Sequence, residues 1–74
     1  MGTRSVDQLI IGESAVIHSL EESHPSYLKL LDLGFTPGQE IQLLNRSPFR
    51  DPIALSLRGT IFALRRKDAL CIKI

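Results

Sequence analysis

Apolar and polar residues alternate along several short segments of the chain, and this period of two predicts β-strands. Ile41 and Leu43 share one face of their segment, and Gln42 and Arg46 lie on the other. From Ile53 onward, large apolar residues alternate strictly with small or polar ones. The predicted strands are residues 14–20, 40–46, 53–57, 60–65 and 70–74.

The last of these strands contains the only cysteine of the chain. Alternation places Leu70, Ile72 and Ile74 on one face and Cys71 and Lys73 on the other. We therefore expect Cys71 to be exposed. A lone cysteine cannot form an internal disulfide, so the sequence favours a reducing compartment over a secreted, disulfide-stabilised scaffold.

One segment, residues 25–33, predicts a helix of more than one turn. Pro25 suits a first helical turn, and Gly34 suits the left-handed residue that ends a helix. Phe35 is then expected to contact Leu30, as in a Schellman motif. The apolar side chains of this helix cover about 220° of its circumference, where a surface helix needs about 100°. One edge of the helix is therefore expected to face a partner.

Shorter signals complete the pattern. Residues 5–8 resemble a capped helix start, which Gly12 limits to about one turn. The Thr36-Pro37-Gly38 segment carries Pro and Gly at the central positions of a type II turn. Residues 66–69 fit a single helical turn between the last two strands.

A chain of 74 residues has room for one domain and too little mass for a two-layer sandwich. Closing short strands into a barrel removes sheet edges and encloses one core. We predict a mainly β single domain over residues 1–74, a small, closed or nearly closed SH3-like barrel of about five strands with one helix inserted after the first strand.

Charge and aromatic content exclude some partners. Nine Lys and Arg residues against eight Asp and Glu leave a net charge of +1, which disfavours nucleic acid. Trp is absent and Tyr27 is the only tyrosine, so the aromatic groove with which SH3 domains bind proline-rich ligands cannot form. No apolar run is long enough for membrane insertion. We expect a cytoplasmic protein.

Motifs for catalysis and cofactor binding are missing from the sequence, which predicts no enzyme, no catalytic residue and no cofactor. His18, Glu21, Glu22 and His24 lie close together in sequence, and His with carboxylate suits ferrous iron. We interpret this cluster as a solvated strand end and helix entry, because metal sites usually draw their ligands from several elements. The sequence therefore predicts no metal site.

Three sequence blocks together resemble one known family, the FeoA family of ferrous iron transport accessory proteins. The likeness extends over nearly the whole chain, and the order and spacing of the blocks carry it. The blocks are Leu30-Leu31-Asp32-Leu33-Gly34-Phe35-Thr36-Pro37-Gly38, Ser47-Pro48-Phe49-Arg50-Asp51-Pro52-Ile53 and Ala63-Leu64-Arg65-Arg66-Lys67-Asp68-Ala69.

This resemblance implies an SH3-like fold and a small cytosolic protein that works with a FeoB-type transporter bearing a G-protein-like GTPase domain. A recruitment to the inner face of the membrane by that transporter is compatible with it. The same module occurs as the C-terminal domain of iron-dependent repressors. The chain departs from the family at Arg50. Family members commonly carry a small residue, often Gly, at this position before Asp-Pro-Ile.

Four residues are predicted to bind the partner: Tyr27, Leu30, Phe49 and Arg50. Tyr27 and Leu30 belong to the over-wide apolar stripe of the helix. Phe49 lies in a loop between Pro48 and Pro52, where it either anchors an interface or folds back over one end of the barrel. Arg58 and the Arg65-Arg66-Lys67 run are interpreted as a solvated hairpin end.

Three functions stay open at this point. The favoured one is an interaction module that binds and modulates the cytosolic part of a FeoB-type ferrous iron transporter. The alternative is a metal-sensing or regulatory domain related to the repressors. A nucleic-acid-binding barrel is the least favoured, since the charge is balanced and a stacking platform is absent. A weak homo-oligomer is compatible with the edge strands and the apolar helix.

Overall fold

A computed structural model describes residues 4–49 and 51–74 of the chain. Strands make up most of the regular structure, with two short helices and one turn of 3₁₀ helix. In chain order the elements are the 3₁₀ helix Val6–Gln8, β1 Ser14–Val16, β2 Ser19–Leu20, α1 Tyr27–Leu33, β3 Glu40–Arg46, β4 Ile53–Leu57, β5 Thr60–Leu64, α2 Arg66–Ala69 and β6 Ile72–Lys73.

The strands form two antiparallel sheets, one of four strands in the order β1-β3-β4-β5 and one formed by β2 and β6. β1 and β5 are the outer strands of the larger sheet, so the strands do not close into a complete barrel. The mainly β, SH3-like prediction is confirmed, and the expected closure is replaced by two sheets around one core.

The predicted first strand, residues 14–20, is in fact two strands. The Ile17 N–H donates to the Gln39 carbonyl at 2.8 Å, and the His18 N–H donates to the Lys73 carbonyl at 2.7 Å. The chain thus changes from pairing with β3 to pairing with β6 at this point. The single-strand prediction is wrong because local alternation carries no information about which strand is the partner.

The core lies between the two sheets and α1, and its members are almost all large aliphatic residues. Phe35 is fully buried and meets the ring of Phe62 edge to face, with centroids 5.1 Å apart. The buried apolar side chains are Val6, Leu9, Ile17, Leu20, Leu30, Phe35, Ile41, Leu43, Ile53, Leu55, Leu57, Leu64, Ala69, Cys71 and Ile72.

The predicted end of α1 is confirmed. Gly34 adopts a left-handed conformation with φ of 106°, which a residue with a side chain rarely adopts. The Phe35 N–H donates to the Leu30 carbonyl and the Gly34 N–H to the Leu31 carbonyl, both at 3.0 Å. These two bonds are the Schellman pattern. The predicted type II turn is confirmed by the φ of 92° at Gly38.

The sequence predicted exposed side chains for Leu30 and Cys71, and both predictions are wrong. Leu30 is completely buried, so this residue is part of the core and is withdrawn as a partner-binding residue. Cys71 is also completely buried, and Leu70 is exposed. Leu70 keeps a helical conformation, with φ of −60° and ψ of −21°, and therefore extends α2. Strand alternation begins only at Ile72, so the expected orientations are reversed at Leu70 and Cys71, while Ile72 and Ile74 face the core as expected.

Candidate partner-binding surface

Phe49 is the most exposed large apolar side chain of the described residues, with 90% of its surface accessible. Its loop is held by the Ser47 hydroxyl, which donates to the Asp51 carbonyl and accepts the Asp51 N–H at 2.9 Å. The Asp51 carboxylate in turn accepts the Arg66 N–H at 2.9 Å. The loop therefore presents Phe49 outward, and the interpretation of Phe49 as a lid over the barrel is wrong.

Arg50, the neighbour of Phe49, lies outside the described residues. Its predicted contact with a partner stays a prediction.

The apolar excess of α1 is real, but its exposed members differ from those predicted. Tyr27 is half-buried and packs against the core. Leu28 has 71% of its surface exposed, and Leu33 is also exposed. The over-wide stripe thus divides into a core half around Leu30 and a solvent half. The outward edge of α1 is defined by Leu28 and Leu33.

An open groove of about 600 Å³, which we call the Ile10 groove, lies between the segment after the 3₁₀ helix, the end of β3 and the start of α2. Ile10 and Ile11 are exposed, while Leu9 between them and the 3₁₀ helix is buried. The lining residues are Asp7, Gln8, Leu9, Ile10, Ile11, Arg46 and Arg66.

The electrostatics of the Ile10 groove depend on one buried carboxylate and two arginines. Asp7 is buried, and its carboxylate accepts a hydrogen bond from the Ser5 hydroxyl and lies 3.4 Å from Arg66 Nε. Arg46 donates to the Leu9 carbonyl. Both guanidinium groups are thereby held at the groove, beside the exposed isoleucines. Such a groove can accept an apolar side chain with an acidic neighbour.

A second, smaller groove of about 210 Å³ runs over the outer face of the large sheet. Ala54 and Ala63 are cross-strand neighbours here, and their small side chains leave the groove between Asn45 and the Phe49 loop. We call it the alanine groove. It connects the Phe49 loop, through Ser47 and Pro52, to the outer strand β5.

Of the His and Glu residues that lie close together in the sequence, His24 has a structural role. Both ring nitrogens of His24 are engaged, since Nδ1 accepts the Ser26 N–H at 3.0 Å and Nε2 lies 2.8 Å from the Lys67 carbonyl. His18 contacts the Ser19 hydroxyl at 3.2 Å. Across residues 4–49 and 51–74, no group of three or more His, Cys, Asp or Glu side chains is arranged to hold a metal ion.

Three arginines that flank β5 each have a side-chain partner. Arg65 lies 3.6 Å from the Asp51 carboxylate, and Arg66 lies beside Asp7. Arg58 Nε donates to the Gln39 side chain at 2.8 Å. Arg58 and Arg65 stay largely exposed, so these contacts leave their charges open to solvent.

The Ile10 groove and the alanine groove were missed by reasoning from the sequence. A signal for the first existed, because the Leu9-Ile10-Ile11 run has no strand alternation and cannot be buried on one face. The sequence contained no signal for the alanine groove, because Ala54 and Ala63 become neighbours only through strand pairing.

Two antiparallel sheets around a single core, with one capped helix, define a small domain of the SH3-like class. The FeoA domain model matches residues 4–74, and the chain therefore belongs to the FeoA family. The family prediction made from the three sequence blocks is confirmed.

One curated relative is the Fe(2+) transport protein A/Fe(2+) transporter FeoB fusion protein of Porphyromonas gingivalis. It is 30% identical over 69 residues, which are 93% of this chain and 8% of the relative. The chain thus spans a small part of that relative's length.

Solved structures of FeoA proteins share the fold. The FeoA-like protein of Clostridium acetobutylicum has a TM-score of 0.89 at 28% identity, covering 99% of this chain and 86% of that one. FeoA of Stenotrophomonas maltophilia, a prokaryotic SH3 domain protein complexed with zinc, has a TM-score of 0.82 at 27% identity, covering 93% and 86%.

A further solved structure, below 25% identity, shares the fold alone. IdeR of T. acidophilum has a TM-score of 0.82 at 18% identity, covering 99% of this chain and 33% of that one. In the part of the chain that the structure describes, no helix is long and apolar enough to cross a membrane.

Proposed function

We propose that this chain binds the cytosolic part of a FeoB-type ferrous iron transporter and modulates its activity. One observation carries the proposal. In the Porphyromonas gingivalis relative, the segment that matches this chain belongs to a fusion of Fe(2+) transport protein A with the transporter FeoB. A fusion keeps two modules at an effective concentration near the millimolar range, which favours a contact between them.

The surface of the chain supports a protein partner. Phe49 stands out from a loop that is bonded at both of its ends, so its immobilisation in an interface costs little conformational entropy. The Ile10 groove beside the same end of β3 adds two exposed isoleucines. Large apolar anchors next to arginines are the composition in which interface energy concentrates.

Binding is tested by isothermal titration of the chain with the cytosolic, GTPase-bearing part of the FeoB-type transporter from the same genome. We expect saturable one-to-one binding. Phe49→Ala is expected to weaken it by about 1 to 3 kcal/mol, because a central aromatic anchor is lost. The melting temperature of this variant should equal that of the parent, since Phe49 is outside the core.

The matched control is Val16→Ala, which also shortens an exposed apolar side chain but lies on β1. It should bind as the parent does. Arg50→Ala and Tyr27→Phe test the remaining predicted contacts in the same titration, and Leu28→Ala tests the outward edge of α1. A parent chain that fails to bind the transporter's cytosolic part contradicts the proposed function. Equal affinities for parent, Phe49→Ala and Val16→Ala place the interface elsewhere.

A further inference from the structure

The outer strand β5 has a backbone edge without a partner. The hairpin from β4 turns through Arg58 and Gly59, both with positive φ, and Leu57 pairs with Thr60. In a hairpin with a two-residue turn this closing pair is hydrogen-bonded, and hydrogen-bonded and non-hydrogen-bonded pairs alternate from there. Ile61 and Ala63 are therefore non-hydrogen-bonded positions, and their N–H and C=O groups point away from β4.

These groups stay free in the structure. Within residues 4–49 and 51–74, no hydrogen bond outside the sheet ladder uses the N–H or C=O of Ile61 or Ala63. The side chain of Ile61 has 68% of its surface exposed, and Ala63 is exposed as well. On the inner face, Phe62 packs against Phe35, which holds the strand in place.

The edge also lacks the usual protection of an outer strand. Native edges are blunted by Lys, Pro, bulges or a covering segment. The strand reads Thr-Ile-Phe-Ala-Leu over residues 60–64, with no charge and no proline, and it pairs with β4 in unbroken register. Such a strand is a ready template for a further strand.

We propose that β5 takes up an extended segment of a protein partner as an added strand, with apolar residues in the middle of that segment and carboxylates at both ends. The inference rests on the proposed function, because it assigns the surface through which a protein partner binds. Main-chain bonds to Ile61 and Ala63 supply the pairing, as in other cases of strand addition.

The charges around the β5 edge favour a partner segment with acidic residues at its ends. Arg58 lies in the turn before β5, and Arg65 follows its last residue. In a segment paired with β5, the residue two positions outward from the one opposite Ile61 lies next to Arg58. The residue two positions outward from the one opposite Ala63 lies next to Arg65. The Arg65–Asp51 pair is exposed, so its contribution is small and Arg65 can turn to a carboxylate of the partner.

The same charges oppose a second copy of this chain as the occupant. Antiparallel pairing of two β5 strands about Phe62 would set Ile61 opposite Ala63 of the other copy. Arg58 of each copy would then lie beside Arg65 of the other, at both ends of the new ladder. Like charges that face each other across strands are destabilising.

The alanine groove gives the added strand its side-chain specificity. Side chains of directly opposed residues point to the same face of a sheet. The partner residue opposite Ala63 therefore points toward the alanine groove, which Ala54 and Ala63 line together with Pro52. A residue of moderate size, such as Val or Leu, suits this groove of about 210 Å³. The residue opposite Ile61 covers that exposed side chain.

The experiment compares Ala63→Pro with Ala63→Ser in titrations with the cytosolic part of the FeoB-type transporter. Proline removes an N–H that β4 does not use, so the variant keeps its internal ladder, and serine keeps that N–H at nearly the same size. We expect Ala63→Pro to bind about tenfold or more weakly and Ala63→Ser within about twofold of the parent. Circular dichroism and melting temperature confirm folding.

A second readout needs no variant. Amide hydrogen exchange at Ile61 and Ala63 is expected to be fast in the free chain and slowed at least about tenfold in the complex. Arg58→Gln and Arg65→Gln are expected to weaken binding and to flatten its dependence on salt.

The outcomes separate the two proposals. A parent chain that does not bind contradicts the proposed function. A parent that binds, while Ala63→Pro binds equally well and exchange at Ile61 and Ala63 is unchanged, overturns the strand addition alone. A parent that sediments as a dimer, and an Ala63→Pro variant that sediments as a monomer, overturn it in favour of a second copy as the occupant.

Discussion

Leu28 and Leu30 show at the scale of single residues how one apolar helix face is divided between core and solvent. The two leucines are two positions apart on α1, yet Leu30 is fully buried and Leu28 is largely exposed. A helical wheel drawn from the sequence places both leucines in the apolar stripe of α1. Only the docking of α1 decides which half of the stripe is covered.

The division predicts a contrast in stability. Leu30→Ala is expected to lower the free energy of unfolding by about 2 to 5 kcal/mol, because it removes core contacts and leaves a cavity. The matched control, Leu28→Ala, should change it by about 0.5 kcal/mol or less. Urea denaturation of the two variants measures both values. Similar losses in the two variants would contradict the assignment of Leu30 to the core.

Asp68 is the residue that joins α1 to α2. The Ser26 hydroxyl donates to its carboxylate, and Lys29 Nζ lies 3.6 Å from it. The Ser26 hydrogen bond, followed by the charges of Lys29 and Lys67, lowers the pKa of Asp68 below its ordinary value, against the opposing effect of burial. The carboxylate is therefore stabilised in its charged form by the folded state.

A carboxyl whose pKa is lower in the folded state stabilises the fold above its unfolded pKa of about 3.9. This contribution is lost as the pH falls through the folded pKa. We expect Asp68→Asn to be less stable than the parent at pH 7, and the difference to narrow as the pH falls below about 3.9. Urea denaturation across this pH range measures it.

The control for this residue is Asp32→Asn, which neutralises an exposed carboxylate on α1. It should shift stability by about 0.5 kcal/mol or less at either pH. A stability difference for Asp68→Asn that stays constant from pH 7 to pH 3 would show that the side chain acts through its shape and not its charge.

At the scale of elements, the hairpin between β4 and β5 carries a residue in an unfavourable conformation. Arg58 has a φ of 52°, and Gly59 follows with a φ of 79°. This is the pattern of a type I′ turn, which favours Asn-Gly over Arg-Gly. For a residue other than Gly, Asn or Asp, the left-handed region costs about 1 kcal/mol or more.

We therefore expect Arg58→Asn to raise the melting temperature, by about 2 °C or more, because Asn tolerates this conformation. The loss of the exposed Arg58–Gln39 hydrogen bond offsets only part of the gain. Gly59→Ala in the same turn should lower the melting temperature, since its positive φ is strained for alanine. A lower melting temperature for Arg58→Asn would mean that the Gln39 bond outweighs the backbone strain.

Elements whose signals are local were predictable from the sequence. β3 and β4 begin and end as the alternation predicts, and α1 ends at the Gly34 signal. The prediction failed where the partner of a segment decides its structure. Residues 14–20 divide between two sheets, and Leu70 continues α2 where its sequence pattern suits a strand.

At the scale of the whole molecule, local sequence signals were enough to predict the family but not most of the candidate surface. The three sequence blocks were enough to predict the FeoA family, since they mark helix end, loop and short helix in fixed order. The candidate surface was predicted at Phe49, whose loop is bounded by prolines. The Leu9-Ile10-Ile11 run marked only one wall of the Ile10 groove. The whole groove and the free edge of β5 depend on segments that only the fold brings together.

The first and last described residues lie side by side. The Ile74 N–H donates to the Arg4 carbonyl at 2.8 Å, and Ser5 forms a bridge with Lys73. A polypeptide attached before Arg4 or after Ile74 therefore leaves the domain from the same place. The domain's remaining surfaces would therefore face an attached protein in nearly the same way, whether the linker joins before Arg4 or after Ile74. Joining such a module to another protein thus requires no change in its fold, whichever of the two comes first in the gene.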